Sequence, residues 1–393
     1  MRFSTATFSH SSSGKRKGVF VAATKQHVGK TSTSLGILSG LTKRFDNVGF
    51  IKPVGQQHLE VEGGLRVDKD VKLAKEFFGL KCGYEHMSPV VIPSGYTKKF
   101  IDGEITETSQ IEAIISSYNA LEAESDYVVV EGTGHTGVGS VVNMNNARVA
   151  ALLGLDMVLI ANGGLGSSFD ELALNRAMCQ EFGVKIRGVV INKVIPSKMD
   201  MVGTYYRKLL AQWDDVPLLG LVPDHAYLGC PSMHDFCNLF GMELLSGEAG
   251  LMDHYSENDF QVITSGLRRF LKKLESSDFH RPIFVTHASR NDVILGILAH
   301  ANVFEKRHGK KFEGALILTG EPPEDVPQPY IVELLKTTTT ELPLLFTGRT
   351  TIESMRLIEG FTAKLNTADV SRTASAAEHY EKYIDFERLL KST

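Results

Sequence analysis

The chain has 393 residues, of which 42% are hydrophobic and 22% are charged. This composition is typical of a globular protein and excludes a disordered, collagen-like or coiled-coil chain, and at about 100–200 residues per domain the length predicts two or three domains. A protein that binds nucleic acid by neutralising the phosphate backbone is normally basic. The formal net charge of this chain is −4, so we expect no nucleic-acid partner.

The N-terminal residues 1–17 are rich in serine and threonine, and no acidic residue precedes Asp46. This composition is typical of organelle transit peptides, although the stretch is short. We interpret it as a flexible tail or a short targeting segment. The four cysteines are widely spaced and no apolar run is long enough to span a bilayer, which indicates reduced thiols and no membrane partner. We expect a soluble intracellular protein, cytoplasmic or, as the open alternative, mitochondrial or plastid.

Residues 18–227 alternate short apolar runs with stretches of helical spacing. The runs predict strands at 18–23, 47–54, 127–131, 157–161, 186–192 and 217–222. Helical stretches such as 30–41 and 169–182 separate most of them. Strands that alternate with helices predict an α/β fold with a parallel sheet, and the carboxyl ends of its strands form one ligand-binding edge.

A second α/β pattern follows a mixed segment rich in glycine, serine and methionine. Predicted strands lie at 282–285, 314–318 and 343–346, and predicted helices lie near 292–301, 330–337 and 351–362. Residues 374–391 have the apolar spacing of one closing amphipathic helix. We therefore assign 228–393 to a smaller second α/β domain.

The segment from Ala23 to Thr31, ATKQHVGKT, carries the strongest chemical signal in the chain. It lies between a predicted strand and a predicted helix, as a phosphate-binding P-loop does. Gly29 permits close approach of backbone N–H groups to phosphate, Lys30 supplies an ammonium for the β- and γ-phosphates, and Thr31 supplies a hydroxyl for Mg²⁺. The match is incomplete, because Thr24 stands where the motif has its first glycine. The predicted nucleotide-binding residues are Thr24, Lys25, Gln26, His27, Val28, Gly29, Lys30, Thr31 and Ser32.

The stretch 20–31 resembles the P-loop of dethiobiotin synthetase, and the resemblance continues through GFIKPVG at 49–55 and VEGTGH at 130–135. Still more similar is the dethiobiotin-synthetase-like module of long-form phosphotransacetylases and their stand-alone relatives, over about residues 18–225. Residues 286–295 and 314–320 resemble the DRTGG domain that follows in those proteins, which implies a regulatory or dimerising role for 228–393. Ser289 and Glu321 depart from its name-giving motif, which puts ligand binding there in doubt. No counterpart of the acetyltransferase catalytic domain is present, so we expect no acetyl transfer by this chain alone.

The resemblance implies roles for residues outside the loop. Glu131 matches a metal ligand of the family, and either Asp68 or Asp70 matches the second, with Asp68 preferred; the alternatives are a solvated acid and a helix N-cap. For Lys52 the resemblance implies a role in binding the substrate or the transition state. The alternative is a lysine that lies at a strand end without such a role. For Asn192 the resemblance implies a contact with the adenine base; the alternative is an asparagine that forms a turn.

We therefore predict a site that uses ATP and Mg²⁺, with Lys30 and Lys52 as catalytic residues and Thr31, Asp68 and Glu131 as metal ligands. Three functions stay open: a regulatory or weakly hydrolysing NTPase linked to acetate or acetyl-CoA metabolism through a partner enzyme, an ATP-dependent ligase, and a non-catalytic scaffold. His27 replaces an acid of dethiobiotin synthetase and argues against that ligase. Lys25 lies at the offset of the signature lysine of partitioning ATPases, which implies a homodimer; otherwise it faces solvent.

Overall fold

We analysed a computed structural model, which describes residues 16–213, 216–276, 281–337 and 342–391. The chain forms two compact units, one from 1–224 together with 365–393 and one from 225–364. In these described ranges no helix is both long and apolar enough to cross a membrane.

The first unit begins with strands that alternate with helices, as the sequence predicts. Its strands are β1 (Gly18–Ala23), β2 (Val48–Ile51), β3 (Val54–Gly55), β4 (His58–Val61), β5 (Leu65–Asp68), β6 (Val90–Val91), β7 (Tyr127–His135), β8 (Met157–Asn162), β9 (Ile186–Val194) and β10 (Leu218–Pro223). Its helices up to this point are α1 (Lys30–Thr42), α2 (Lys69–Phe78), α3 (Tyr96–Ile101), α4 (Glu107–Glu124), α5 (Asn146–Leu153), α6 (Gly166–Glu181) and α7 (Met199–Leu210).

A parallel sheet in the order β10-β9-β8-β1-β7-β2 forms the centre of this unit. Its strands are continuous apolar runs because both faces are covered, and every residue of β1 is buried. The fold class is therefore confirmed, and so are the six main strands, except that the strand predicted over 47–54 ends at Ile51 and Val54–Gly55 form the separate strand β3. Strand β7 runs four residues beyond its predicted end at 131. Since β1 lies at the middle of the sheet, the loop that follows it opens at the centre of the carboxyl edge, where such sheets bind ligands.

The second unit has a smaller sheet of its own. Its elements are α8 (Met233–Phe240), β11 (Leu244–Ser246), β12 (Phe260–Val262), α9 (Leu267–Ser276), β13 (Ile283–His287), α10 (Asn291–His308), β14 (Ala315–Thr319), α11 (Pro329–Thr337), β15 (Leu344–Phe346) and α12 (Thr351–Glu359). The strand order is β11-β15-β14-β13-β12, with β11 antiparallel to β15 and the others parallel. One buried apolar cluster contains Phe284 and Ile294, and another contains Val285 and Phe236, so successive residues of β13 belong to different clusters.

The C-terminal segment corrects two predictions. Residues 365–393 belong to the first unit, so their assignment to the second domain is wrong. They form two helices, α13 (Val370–Glu381) and α14 (Phe386–Leu390), rather than one helix over 374–391. The physical reason for the break is an antiparallel bridge between Ile384 and Gly220, next to which the Asp385 N–H donates to the Leu219 carbonyl over 2.7 Å. The segment thus pairs with β10 where the single helix was predicted to continue.

Most of the predicted N-terminal tail, residues 1–15, lies outside the described residues. The last two residues of that prediction are anchored on the first unit. The Arg16 guanidinium pairs with Glu122 and donates to the Asn119 side chain over 2.9 Å, and the Lys17 carbonyl accepts from the Val128 N–H at 2.9 Å. Arg16 and Lys17, which the prediction includes in the tail, therefore contact the first unit.

Candidate nucleotide site

The loop between β1 and α1 adopts its shape through two residues with left-handed backbone. Gly29 has φ 95° and His27 has φ 61°. A Cβ atom at position 29 would lie 2.2 Å from the Asn192 amide nitrogen, so only glycine fits there. Thr24 is outside this left-handed region, which explains why a threonine can stand at the position of the missing first glycine.

Three side chains from other elements hold the carbonyl groups of this loop. The Asn175 amide of α6 donates to the Thr24 carbonyl over 3.1 Å. At the end of β9, the Asn192 amide donates to the Val28 carbonyl over 2.6 Å and the Lys193 ammonium donates to the His27 carbonyl over 3.0 Å. These bonds from the protein to three loop carbonyls restrain the conformation of the loop.

A buried cluster of charges lies beside the start of α1. The Lys30 ammonium pairs with Glu131 on β7. The Lys52 ammonium, next to β2, lies 2.9 Å from an Asp68 carboxylate oxygen, pairs with Asp70, and lies 3.8 Å from Glu131. Both lysines and all three carboxylates are largely withdrawn from solvent. With three negative and two positive charges, the cluster has a formal charge of −1.

Opposite charges fix the ionisation of Lys52 and Asp70 in this cluster. Burial by itself would lower the pKa of Lys52, but the charges of Asp70, Glu131 and Asp68 outweigh it and hold that pKa well above the usual value for lysine. Burial would likewise raise the pKa of Asp70, but the charges of Lys52 and Lys30 hold it below the usual range for a carboxyl. Lys52 is therefore an ammonium and Asp70 a carboxylate at neutral pH.

The donor set suits a hard divalent cation. The Thr31 hydroxyl donates to a Glu131 carboxylate oxygen over 3.4 Å. The other carboxylate oxygen of Glu131 is buried and, among the described residues, has no hydrogen-bond partner. An unpaired buried carboxylate oxygen is costly unless a cation or donor meets it. Carboxylate and hydroxyl oxygens are the ligands that Mg²⁺ prefers, so these residues fit a Mg²⁺ ion.

The loop, the cluster and the β-sheet all fall within one recognised domain. Residues 17–232, more than half of the chain, match the family AAA_26, which is described as an AAA domain. The chain belongs to this family. The C-terminal segment that contacts α1 lies beyond the matched residues of the AAA domain.

The curated relatives fall into two groups. A phosphate acetyltransferase of Pseudomonas aeruginosa is 27% identical over 390 residues, which cover 94% of this chain and 51% of that protein. An ATP-dependent dethiobiotin synthetase of Clostridium perfringens is 26% identical over 213 residues, which cover 53% of this chain and 90% of that protein. The chain thus spans about half the length of the phosphate acetyltransferases that it matches. Its AAA domain is a dethiobiotin-synthetase-like P-loop domain.

Among solved structures, the MinC:MinD cell division protein complex of Aquifex aeolicus matches 54% of this chain and 83% of that chain. The sequences are 12% identical and the TM-score is 0.35.

Most of the predicted site residues meet at this edge of the AAA domain. Lys30, Thr31, Lys52 and Glu131 are brought together as predicted. Asp68 is buried beside Lys52, but it is also the N-cap of α2 and accepts from the Asp70 N–H at 3.0 Å. The assignment of Asp68, and not Asp70, as a metal ligand stays a prediction, because both carboxylates contact Lys52.

Two predicted residues have partners that the sequence did not indicate. The Lys25 ammonium lies 2.8 Å from a carboxylate oxygen of Glu171 on α6, within the same chain. Asn192 is fully buried, and its amide donates to the Val28 carbonyl and to the Tyr380 hydroxyl. The structure thus gives Asn192 a role in holding the loop. Its adenine contact and the intersubunit role of Lys25 stay predictions, as do the nucleotide contacts of Gln26, His27, Val28 and Ser32.

Two asparagines fix the glycine-rich end of β7 and the loop that follows it. The Asn146 amide donates to the carbonyls of Thr133 and His135 over 2.8 and 2.7 Å. The Asn175 side-chain carbonyl accepts from the N–H and the hydroxyl of Thr136 at 3.0 and 2.7 Å. Asn175 therefore joins this loop to the P-loop. Sequence reasoning missed both asparagines, because an asparagine in a helix has no pattern that indicates its distant partner.

Proposed function

We propose that this chain is a P-loop protein that binds ATP with Mg²⁺ at the loop 24–32. The observation that carries the proposal is the meeting of Lys30, Lys52 and Glu131 beside a preshaped loop at the carboxyl edge of the sheet. A helix N-terminus, an ammonium and converging backbone N–H groups are the elements that bind a polyphosphate. The family match and the dethiobiotin synthetases among the relatives support the same ligand.

In this proposal the resident charges exchange partners when the nucleotide binds. Lys30 leaves Glu131 and binds the β- and γ-phosphates, while Lys52 supplies a second fixed positive charge nearby. Thr31, Glu131 and one of Asp68 and Asp70 hold the Mg²⁺, which supplies charge neutralisation on the phosphates when it is bound. Any turnover would be phosphoryl transfer by positioning and charge stabilisation, without a covalent protein intermediate.

The first candidate function is a regulatory or weakly hydrolysing NTPase that acts on acetate or acetyl-CoA metabolism through a partner enzyme. It is supported by the phosphate acetyltransferases among the relatives, which align with 94% of this chain. We assign residues 225–364 the role of a DRTGG-like regulatory module, and we retain homodimer formation as part of this proposal. Nucleotide binding and not acetyl transfer is the activity proposed for the chain itself.

The second candidate function is an ATP-dependent ligase of the dethiobiotin synthetase type. It is supported by the coverage of 90% of the Clostridium perfringens enzyme. His27 stands at the loop position where the resemblance expects an acid, and its left-handed backbone makes it part of the loop shape. We therefore rank the ligase below the regulator, and a scaffold without turnover is the third candidate.

One assay separates these candidates. The full chain is incubated with Mg-ATP, and ADP is measured alone and with a diaminocarboxylate plus bicarbonate, while Mg-ATP binding is measured in parallel. ADP formed without a co-substrate supports the NTPase, and ADP formed only with both additions supports the ligase. Binding without ADP supports the scaffold. The Lys30→Ala variant, purified in the same way, controls for contaminating ATPase activity, and absence of Mg-ATP binding would contradict the proposed function.

A further inference from the structure

The hydroxyl of Tyr380, on the C-terminal helix α13, lies within the framework of the P-loop. It accepts a hydrogen bond from the Asn192 amide over 2.8 Å. The Tyr380 side chain is almost completely buried. A Cβ atom at Gly29 would lie 3.1 Å from this hydroxyl. A residue from the end of the chain thus contacts both the loop and the end of β9 at one point.

The amide of Asn192 depends on Tyr380 for its orientation. Its nitrogen donates both to the Val28 carbonyl and to the Tyr380 hydroxyl, and its oxygen accepts from the Lys193 N–H at 2.8 Å. In this orientation the amide nitrogen supports the backbone directly before Gly29. Loss of the Tyr380 hydroxyl would leave a buried donor with one acceptor fewer, so the Val28 carbonyl would lose part of its restraint.

Close packing holds Tyr380 in place. A Cβ atom at Gly36 would lie 2.4 Å from the Tyr380 Cβ, so α1 and α13 approach closely at this point. The Glu381 carboxylate accepts from the Lys43 ammonium at 2.7 Å and from the Ser39 hydroxyl. On the other side, the His379 ring lies within 2.9 Å of the Pro223 carbonyl oxygen. These contacts leave the hydroxyl little freedom to move.

We propose that Tyr380, which helix α13 of the C-terminal segment supplies, is a positioning residue of the nucleotide site. The inference rests on the proposed function. The hydroxyl acts through Asn192 on the loop conformation and does not need to touch the nucleotide. In the sequence, the P-loop precedes the second unit and the C-terminal segment follows it. The complete P-loop framework therefore combines residues from before and after the second unit in the chain.

The test is calorimetric titration of the full chain with Mg-ATP. We expect Tyr380→Phe, which keeps the ring and its packing, to raise the dissociation constant about 5- to 20-fold, the size of a lost hydrogen bond to a buried group. In a double-mutant cycle, Tyr380→Phe should add little to Asn192→Ala, because both act through one hydrogen bond.

Two controls separate positioning from general destabilisation. Tyr383→Phe removes the hydroxyl of a partly exposed neighbour and should leave the dissociation constant unchanged within twofold. Phe386→Leu loosens the packing against Gly40, which should lower the melting temperature without weakening Mg-ATP binding. Equal affinity of wild type and Tyr380→Phe would overturn this inference alone, as would an effect of Phe386→Leu as large as that of Tyr380→Phe. A wild type that does not bind Mg-ATP would overturn the proposed function as well.

Discussion

At the residue scale, the chain concentrates buried charge where a P-loop meets its sheet. Lys52 has three carboxylates around it, and Glu131 has two lysines. Burying ions in this way is weak evidence for stability, since their desolvation offsets much of their attraction. Charges of this kind are concentrated at functional sites. The cluster is therefore better explained by ligand binding than by folding.

Removal of the Lys30 ammonium should weaken nucleotide binding. A charged hydrogen bond contributes about 1.5–3 kcal/mol, so we expect Lys30→Ala to raise the dissociation constant for Mg-ATP by about 10- to 100-fold. Competition with a fluorescent ATP analogue measures it. Lys208→Ala, at an exposed lysine of α7, is the matched control and should bind like wild type. Equal affinities of Lys30→Ala and Lys208→Ala would reject Lys30 as a phosphate ligand.

The lowered pKa of Asp70 predicts a pH dependence of stability. A carboxyl with a depressed folded pKa stabilises fully above its unfolded value of about 3.9 and loses that contribution as the pH falls through the folded value. Asp70→Asn should lower the free energy of unfolding by about 1.5–3 kcal/mol at pH 7, and the deficit should shrink below about pH 4. Urea titrations at pH 7 to 2.5 measure it, with Asp46→Asn at an exposed site as control. A deficit that stays constant with pH would contradict the ionic role.

The sequence predicts the main residues of this site and misses their supports. Lys30 and Thr31 come directly after the P-loop glycine, and Glu131 stands at the end of a predicted strand. The carboxyl ends of parallel strands meet at one edge of the sheet, so the topology places these residues near one another. The roles of Asn175 and Tyr380 depend on contacts across 151 and 188 residues, and no local pattern encodes such contacts. Thr24 stands where the motif has a glycine, but its backbone lies outside the left-handed region, so no glycine is required there.

At the element scale, α1 is sensitive to its neighbour α13. Gly36→Ala should place a methyl group 2.4 Å from the Tyr380 Cβ and 3.0 Å from the Glu381 backbone nitrogen. Overpacking of this kind costs about 1–3 kcal/mol, and we expect a corresponding fall in the free energy of unfolding in urea. Gly166→Ala in α6, where the added methyl has no neighbour within 4 Å, should be neutral or slightly stabilising. Unchanged stability of Gly36→Ala would mean that the two helices pack less closely.

Elements with strong periodicity were predicted well, and their ends were not. The six main strands are continuous apolar runs, which indicates burial on both faces whatever their neighbours. The closing helix over 374–391 has helical periodicity on both sides of its break. The break itself results from pairing of Ile384 with Gly220, a distant contact that the spacing of apolar residues does not contain.

At the scale of the whole molecule, residues 225–364 interrupt the first unit in sequence. A change of composition after residue 223 indicates where the first part ends, and it is visible in the sequence. The return of the chain to the first unit at Leu365 has no such signal, because the residues on both sides of it have the composition of an ordinary α/β protein. A division into consecutive domains was therefore the simplest prediction, and it was wrong for the last segment.

Deletion of the C-terminal segment should unfold the first unit. Ile384, Phe386 and Leu389 are buried, and at about 1.5–3 kcal/mol each they contribute on the order of the whole stability of a domain. We expect a chain ending at Lys364 to show red-shifted emission from Trp213, the single tryptophan, which is buried against Phe169 in the first unit. Full-length protein in buffer and in urea gives the two reference spectra. A native-like spectrum from the shortened chain would show that the segment is dispensable.

The central claim is that the loop 24–32 with its charge cluster binds a magnesium nucleotide. Its most direct measurement is calorimetric titration of the full chain with ATP, once with Mg²⁺ and once with a chelator, and with AMP plus Mg²⁺ as control. We predict saturable one-to-one binding of Mg-ATP, weaker binding of ATP without Mg²⁺, and little binding of AMP, which lacks the β- and γ-phosphates that Lys30 would bind. Binding of ATP and AMP with equal affinity, or no heat of binding with Mg-ATP, would contradict the account.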